Sequence, residues 1–392
     1  MELALFEDEA WKDFLPVAAM RHLSQQLLGD RPLFEHIAGR FKVRPSLVGR
    51  EYLAGLARER TGLRYNDFKG SVLMVNARVN PLVLTEKLAK IRPDSVIMDR
   101  GQVVVASARY AELERTVEDD GSLSQKKLLR ASKALVRLES GDRLLFDYPW
   151  ELLAYNGPAI GAVVGRSRKR LLVSPRAHIE DFVSFDTSHG PVIVDQGARV
   201  EAFSRVSGPC YIGKDSTLHS ALVREGTSIA EGCKVGGEVD NSIVYRRSNK
   251  AHFGFLGHSI VAEWVNMGAG AVTSDLKNTY GNVRVMRDGR RVDTGMLKLG
   301  TVVGDMAKIS IGCMVYGGKT LGVAARCEGI VENDVPDFAN YSKSSLARLG
   351  LEQVLTTQER MKGRRGEELT SEERRVIEYI YPKTPQPAVS SP

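Results

Sequence analysis

The chain has 392 residues, of which 43% are hydrophobic and 26% charged, and a net charge of +7. This composition is ordinary for a soluble globular protein with two or three domains, and no apolar run approaches the roughly 20 residues that span a bilayer. Four cysteines without a CxxC pair argue against a disulfide framework or a zinc site, and they predict a cytoplasmic protein. The positive charge suits small phosphorylated ligands. Because aromatic and basic residues do not alternate, we expect no nucleic-acid partner. Because no apolar run is long enough to span a bilayer, we expect no membrane partner either.

Residues 1–172 have the pattern of an α/β domain. Buried strands and amphipathic helices are predicted to alternate here, with strands at 71–75 and 102–107 and helices at 31–41 and 81–91. Ligands of such sheets usually lie beyond the carboxyl ends of the strands. Asn76 and Arg78, which follow the first of these strands, are therefore candidates for substrate binding.

Residues 173–340 have a different rhythm, in which aliphatic residues recur every six positions. The first series resumes after a slip of one residue, and a second series follows later; together they comprise Val194, Val200, Val206, Ile212, Leu218, Val223, Ile229, Val235, Val303, Ile309, Val315 and Leu321. A six-residue period indicates one flat side of a triangular coil per repeat, so stacked coils share one core. The sequence therefore predicts a parallel β-helix.

Two further segments depart from this repeat. Between about 275 and 300 the repeats stop, and Asp288-Gly289 between alternating residues predicts a hairpin on an arm that leaves the coil. Residues 341–392 are predicted to be a helical extension, with Ser344 or Ser345 capping one helix and Thr370 or Ser371 capping the next. These helices are expected to pack on the open end of the coil or on a neighbouring subunit.

The segment 249–280 contains "KAH", "FLG" and "VNMGAG" in that order. It resembles the acetyltransferase half of the GlmU-type bifunctional enzymes, which join a glucosamine-1-phosphate N-acetyltransferase to an N-acetylglucosamine-1-phosphate uridylyltransferase. "LFEDEAWKDFLPVAAMRH", "VNARVNPLV" and "YPWELLAYNG" are similar to a divergent sugar-nucleotidyltransferase domain of a GlmU-like branch. The resemblance implies a left-handed β-helix that works as a homotrimer, with an active site between subunits.

The resemblance also implies roles for single residues. His252 lies where the family has its general base, and imidazole suits this task because it accepts a proton near neutral pH. Asn266 matches a residue that contacts the sugar. Ala269, with Gly268 and Gly270, falls in the segment that touches acetyl-CoA through backbone groups.

Other positions rest on charge or depart from the family. Lys250 is predicted to contact a sugar phosphate because of its charge alone. Asp240 replaces a basic residue of the family, Phe255 replaces a tyrosine, and Asp275, a further candidate for substrate binding, replaces an asparagine. These changes indicate a different acceptor or a site that no longer acetylates. His258 is interpreted as a structural residue of the outer wall.

The N-terminal half departs further, since it lacks the glycine-rich loop that holds a triphosphate in ordinary members. Arg21 is the best candidate for a phosphate contact, because a guanidinium can bind phosphate with two hydrogen bonds. No carboxylate follows the strand at 71–75. Glu151 and Asn156 are the remaining candidates to hold Mg²⁺, which prefers oxygen ligands.

Two hypotheses follow. The first is an enzyme that transfers acetyl from acetyl-CoA to an amino-sugar phosphate, with a nucleotidyltransferase half that uses a nucleoside triphosphate and Mg²⁺. The second is a non-catalytic trimeric binder or scaffold with a degenerate N-terminal half. The remaining candidates are expected to be solvent-exposed, namely His178, His189, His219 and the basic segments 165–172 and 359–365.

Overall fold

The computed structural model describes residues 2–68, 70–84, 94–109, 114–131, 134–138, 143–165, 169–287 and 289–384. Its first unit is a six-stranded mixed sheet, whose strands in spatial order are Ser46–Val48, Glu2–Phe6, Ser71–Asn76, Gln102–Arg109, Ser95–Asp99 and Ala134–Leu138. The first three strands run parallel, so their carboxyl ends meet at one edge of the sheet. The predicted strands at 71–75 and 102–107 are confirmed.

The helices of this unit are Leu33–Phe41, Ala54–Thr61, Gln125–Ala131 and Glu151–Val164. A small antiparallel pair, Leu27–Leu28 with Arg31–Pro32, precedes the first helix. The helix predicted at 31–41 is therefore confirmed from residue 33 onward. The helix predicted at 81–91 lies largely outside the described residues.

The second unit is a three-sided parallel β-solenoid of about nine turns. Its first face consists of Leu171–Val173, Val192–Val194, Cys210–Ile212, Thr227–Ile229, Ile243–Val244, Ile260–Val261, Val302–Val303 and Thr320–Leu321. Its second face consists of His178–Ile179, Arg199–Val200, Asn249–Lys250, Asn266–Met267, Lys308–Ile309, Arg326–Cys327 and Ala339–Ser342. Its third face consists of Ser184–Asp186, Arg205–Ser207, Phe255–Gly257, Val272–Thr273, Met314–Val315 and Ile330–Val331. Thr217–Val223 and Lys234–Asp240 each continue from the second face into the third.

The six-residue series fills the interior of this solenoid. Every aliphatic residue of both series is at most 2% exposed, so the prediction of one shared core is confirmed. All four cysteines are free thiols buried in the same core. Burial raises the pKa of the Cys313 thiol to about 11 and that of Cys233 to about 12, which makes these thiols unreactive at neutral pH.

The predicted arm is an antiparallel hairpin of Arg284–Arg287 with Arg290–Asp293. Asp288, part of the turn signal, lies outside the described residues.

The C-terminal helices are Leu351–Gly363 and Ser371–Ile380. The predicted helix start at Ser344 or Ser345 is wrong, because Ser345–Arg348 instead pairs with Ala339–Ser342 as an antiparallel strand. The start at Thr370 is confirmed, since its side chain accepts a hydrogen bond from the Glu373 amide in a capping box. Among the described residues, every helix is too short or too polar to cross a membrane.

The C-terminal helices pack along the side of the solenoid and reach back to the first unit. Arg365, after the first helix, donates to the Gly232 carbonyl at 3.1 Å and to Asn249 Oδ1 at 2.5 Å. Tyr379 of the second helix stacks on Tyr52 with ring centroids 4.4 Å apart. The expected position at the open end of the coil is therefore replaced by a position that joins both units within one chain.

Candidate active site

His252 lies at the corner between the strand Asn249–Lys250 of the second face and the strand Phe255–Gly257 of the third. Its side chain is exposed, while Leu256 in the same turn is fully buried in the core. The imidazole therefore faces a groove of about 710 Å³ and not the aliphatic interior.

This groove, called the His252 groove below, brings together most residues of the predicted acetyl-transfer site. The next turn supplies Asn266, Gly268 and Ala269, since Asn249 and Asn266 lie side by side in the second face. A Cβ on Gly268 would lie 2.6 Å from the Ile311 amide nitrogen, so only glycine allows this close approach of two turns. Gly270 lies outside the lining and adopts the left-handed φ of +73°.

The far wall of the groove comes from the first C-terminal helix and the residues after it. This wall consists of Arg360, Met361, Arg364 and Arg365. Arg360 and Arg364 are one helical turn apart, are exposed, and make no ion pair with any described residue. The segment 359–365, which the sequence suggested to be merely solvated, is therefore part of the groove. The hydrogen bonds of Arg365 hold this segment against Gly232 and Asn249, which precede it by more than a hundred residues.

Two lysines also line the His252 groove. Lys234 is exposed, and Lys308 donates to the Trp264 carbonyl at 3.1 Å and to the Met306 carbonyl at 2.6 Å. Burial, reinforced by the charge of Arg326, lowers the pKa of Lys308 to about 7. The groove therefore has five basic side chains within reach and suits an anionic ligand.

A second imidazole lines the groove. His219, predicted to be merely exposed, is partly buried, and its Nδ1 lies 3.1 Å from Glu201 Oε2. A histidine paired with a carboxylate is an arrangement that enzymes use to orient a general base. The sequence offers no sign of this, because His219 precedes His252 by two turns of the solenoid.

Lys250 does not line the groove. Its side chain occupies a core-facing position beside Val235 and is 3% exposed. The ammonium donates to the carbonyls of Gly236 at 2.7 Å, His252 at 3.0 Å and Gly254 at 2.9 Å. The predicted phosphate contact is therefore replaced by a structural role, in which Lys250 fixes the corner that presents His252.

Burial lowers the pKa of Lys250 from 10.5 to about 8, which gives a testable dependence of stability on pH. Below pH 8 the amine is protonated in both the folded and the unfolded chain, so the cost of burial is constant. Between pH 8 and 10.5 only the unfolded chain keeps the proton, so stability rises with pH. The free energy of unfolding of the native chain should therefore rise by roughly 2–3 kcal/mol between pH 7 and pH 10, relative to that of Lys250→Met, which lacks the amine.

Urea unfolding of both proteins at the two pH values measures this change. Lys126→Met, at an exposed position, is the control and should show no such trend. A difference between Lys250→Met and the native chain that stays constant with pH would contradict the burial of a charged amine.

Asp275 also lies away from the His252 groove. It is at the far end of the third face, where its Oδ2 lies 2.7 Å from His258 Nδ1. Burial alone would raise the pKa of Asp275, but the hydrogen bond and charge of His258 outweigh it and lower the pKa. The side-chain oxygen and nitrogen atoms of Asp240, His258 and Asp275 lie within 4.8 Å of one another. Asp240 and Asp275, two positions at which the sequence differs from the family, are therefore neighbours.

The predicted residues of the first unit lie at the carboxyl edge of its parallel strands. Asn76 donates to Asp8 Oδ2 at 2.8 Å, and Arg78 pairs with the same carboxylate at 2.8 Å. Arg78 also donates to the Phe146 carbonyl at 2.9 Å and is 1% exposed. The sequence therefore predicted the correct edge of the sheet but gave no sign of Asp8, whose carboxylate is hydrogen-bonded to both predicted side chains.

The other predicted residues of this half are held elsewhere. Arg21 is buried between the two units, where it pairs with Asp305 and lies 3.6 Å from Glu263, so it is not available to a phosphate. Glu151, the first residue of its helix, accepts from the Asp147 amide at 2.7 Å and pairs with Arg143. Asn156 bonds to the Gly29 amide and the Gly226 carbonyl, both at 2.7 Å, and so fastens the two units together.

Glu151 and Asn156 do not form a metal site. Positions five apart on a helix point about 140° away from each other, so the two side chains diverge. The hydrogen bonds of each side chain confirm this divergence.

The fold and the groove define a class, in which an α/β domain precedes a hexapeptide-repeat solenoid with a histidine in a corner groove. Residues 3–164 match the family model described as sugar nucleotidyl transferase. A bifunctional sugar-1-phosphate nucleotidylyltransferase/acetyltransferase from Sulfurisphaera tokodaii is 29% identical over 199 residues, which are 50% of this chain and 47% of the relative. The bifunctional protein GlmU of Heliobacterium modesticaldum is 30% identical over 143 residues, or 36% of this chain and 30% of the relative.

The chain spans about half or less of the length of these relatives. Among solved structures, the UDP-N-acetylglucosamine acyltransferase of Francisella novicida is 15% identical with a TM-score of 0.26, covering 54% of this chain and 77% of that one. The chain is therefore similar to a sugar nucleotidyl transferase domain over residues 3–164, and to GlmU-type bifunctional proteins over part of their length.

Proposed function

We propose that the chain is a transferase that moves an acetyl group from acetyl-CoA to the amine of an amino-sugar phosphate, in the His252 groove. The observation that carries this proposal is the exposed imidazole of His252 beside Asn266 and Ala269 in a groove bordered by basic residues. The relatives named above combine an acetyltransferase with a nucleotidyltransferase, which agrees with this assignment.

Each part of the groove has a role in the proposed reaction. The amine nitrogen forms a bond to the acetyl carbon, the carbon–sulfur bond breaks, and CoA leaves as the thiolate. The imidazole of His252 takes the proton that the amine loses. The arginines at 360 and 364 would hold phosphate groups, which both CoA and a sugar phosphate carry.

Release of the CoA thiol from acetyl-CoA and glucosamine-1-phosphate tests this proposal. The four cysteines are buried, so a thiol reagent reports CoA with little background from the protein. N-acetylglucosamine-1-phosphate, whose amine is already acylated, is the matched control and should release no thiol. Equal release with both sugars, or none across a panel of amino-sugar phosphates, would leave the non-catalytic binder as the better proposal.

For the N-terminal domain, the family match favours sugar-nucleotidyl transfer, for which Mg²⁺ would be the metal. The described residues at the strand edge do not fit a Mg²⁺ ion. Asp8 accepts from Asn76, Arg78 and Gln125, and Glu7 forms a buried pair with Arg50 at 2.7 Å, so neither carboxylate is available. We propose that this domain carries out sugar-nucleotidyl transfer with metal ligands other than Asp8 and Glu7.

A pyrophosphate assay with UTP, N-acetylglucosamine-1-phosphate and Mg²⁺ tests this proposal. We expect pyrophosphate release that depends on Mg²⁺. No release by a preparation that transfers acetyl groups normally would reduce the proposal to acetyl transfer alone.

The proposal includes a homotrimer assembled through the solenoid, and a cytoplasmic location. Large apolar side chains are exposed along the third face and its corner with the second, and they are Phe253, Ile311, Met314 and Ile330. An exposed apolar strip of this kind favours burial against another copy of the chain.

Charges placed in this strip should separate the subunits. Met314→Glu with Ile330→Glu should reduce the mass measured by light scattering from three chains to one chain of 43.2 kDa, since each glutamate would be buried without a partner. Val43→Glu, at a position of the first unit that is 46% exposed, is the control and should leave the mass unchanged. A single-chain mass for the native protein would remove the trimer from the proposal.

A further inference from the structure

A second groove lies between the inserted hairpin and the last turns of the solenoid. We call it the arm groove; its volume is about 760 Å³, and its lining includes Lys277, Arg284, Met286, Arg291, Tyr316 and Lys319. It shares no residue with the His252 groove.

The hairpin forms one wall of the arm groove because its side chains alternate between two sides. Val285 is 3% exposed and belongs to the core between the units, and the guanidinium of Arg287 lies 5.4 Å from the ring centre of Trp150. Arg284 and Met286 alternate with these residues, so they point the opposite way. Arg291 pairs with Met286 across the hairpin and lies on the same side.

The base of this wall is fixed to the solenoid. The Gly318 amide donates to the Leu299 carbonyl at 3.0 Å and to the Gly300 carbonyl at 2.7 Å. A Cβ on Gly318 would lie 2.5 Å from the Val283 side chain, so hairpin and solenoid are in close contact there. The groove is therefore a fixed concave feature of the fold.

The charges of the arm groove are unbalanced. Its lining has four cations and one carboxylate, Asp334, whose Oδ1 accepts from the Thr320 amide at 2.7 Å. Arg284 lies 3.9 Å from the exposed Asp293, and the other three cations form no ion pair shorter than 4 Å with a described residue. Like charges around one concavity attract an anion, and guanidinium groups match phosphate geometry.

The arm groove also offers a surface for a ring. Tyr316 is 50% exposed and lines the groove beside the backbone of Gly317 and Gly318. A volume of this size suits a nucleotide-sized molecule. We propose that the arm groove binds a nucleoside diphosphate, whose phosphates contact the arginines of the hairpin and whose base contacts Tyr316. The site is separate from the acetyl-transfer site and does not depend on that proposal.

Titration calorimetry with UDP as the probe tests this site. Arg284→Ser with Arg291→Ser should weaken binding by about tenfold or more, because two charged hydrogen-bonding contacts to phosphate are lost. Lys319→Ser, on the opposite wall, should weaken it several-fold. The matched control is Arg290→Ser on the same hairpin, which does not line the groove and should leave the affinity within about twofold. Uridine, which lacks the phosphates, should not bind measurably.

The double variant Arg360→Ser with Arg364→Ser tests whether UDP binds in the His252 groove instead. If UDP binds in the arm groove, this variant should leave the UDP affinity unchanged. The proposal is overturned if UDP does not bind the native chain at millimolar concentration, if uridine binds as tightly as UDP, or if the hairpin pair retains native affinity. Because the substituted side chains are at the surface, thermal unfolding should confirm that every variant is folded.

Discussion

His252→Ala should lower the turnover number for acetyl transfer by about 10²–10⁴-fold, the usual contribution of a general base. The Michaelis constant for acetyl-CoA should change much less, because the cationic wall of the groove remains in place. Steady-state release of the CoA thiol measures both constants. A loss confined to the Michaelis constant would mean that His252 binds substrate and does not take the proton.

Two other histidines provide the controls. His189→Ala removes an exposed imidazole of the same solenoid outside the groove and should leave turnover unchanged. His219→Ala removes the second imidazole of the groove, and we expect a much smaller effect than for His252→Ala. If His219→Ala abolished turnover while His252→Ala retained it, the base would be the histidine that pairs with Glu201.

The solenoid was predictable from sequence because its information is local. Each turn repeats the same inward position, so a period of six residues is enough to assign the core from Val194 to Val235 and from Val303 to Leu321. Lys250 lies between these two series, pairs in register with Val235 and faces inward. Since the spacing from Val235 to Lys250 differs from a multiple of six, the period alone does not reveal that this lysine faces inward.

The His252 groove was only half predictable. His252, Asn266 and Ala269 belong to neighbouring turns and lie within one short segment of the sequence, whose motifs resemble a known family. The arginines at 360 and 364 belong to a helix that reaches the groove by packing, and local pattern does not encode that contact. The same limit applies to Asp8, whose partner Arg78 lies 70 residues later in the turn after the strand Ser71–Asn76.

Breaking the buried ion pairs between the two units should cause a large loss of stability. Arg21 and Arg60 of the first unit meet Glu263 and Asp305 of the solenoid, and Arg60 lies 3.7 Å from Glu373 of the last helix. Arg21→Met leaves the Asp305 carboxylate buried without its partner. We expect this change to reduce the free energy of unfolding by about 3–5 kcal/mol at pH 7.

The cost should depend on pH and on the partner. Burial raises the pKa of Asp305 and the charge of Arg21 opposes it, so without Arg21 this carboxyl takes up a proton more readily. The loss should therefore be smaller at pH 5 than at pH 8. Arg21→Met combined with Asp305→Leu should recover most of the stability, because no unpaired charge remains in the interface.

Equilibrium unfolding in urea measures these differences, with Arg375→Met as the control. Arg375 pairs with Glu372 at 2.8 Å on an exposed helix surface, where such a pair contributes less than about 1 kcal/mol. A loss for Arg21→Met no larger than the loss for Arg375→Met would mean that Asp305 finds another partner or water. The larger loss would mean that Arg21, the residue predicted to bind a phosphate, instead stabilises the interface that holds the two units and the last helix together.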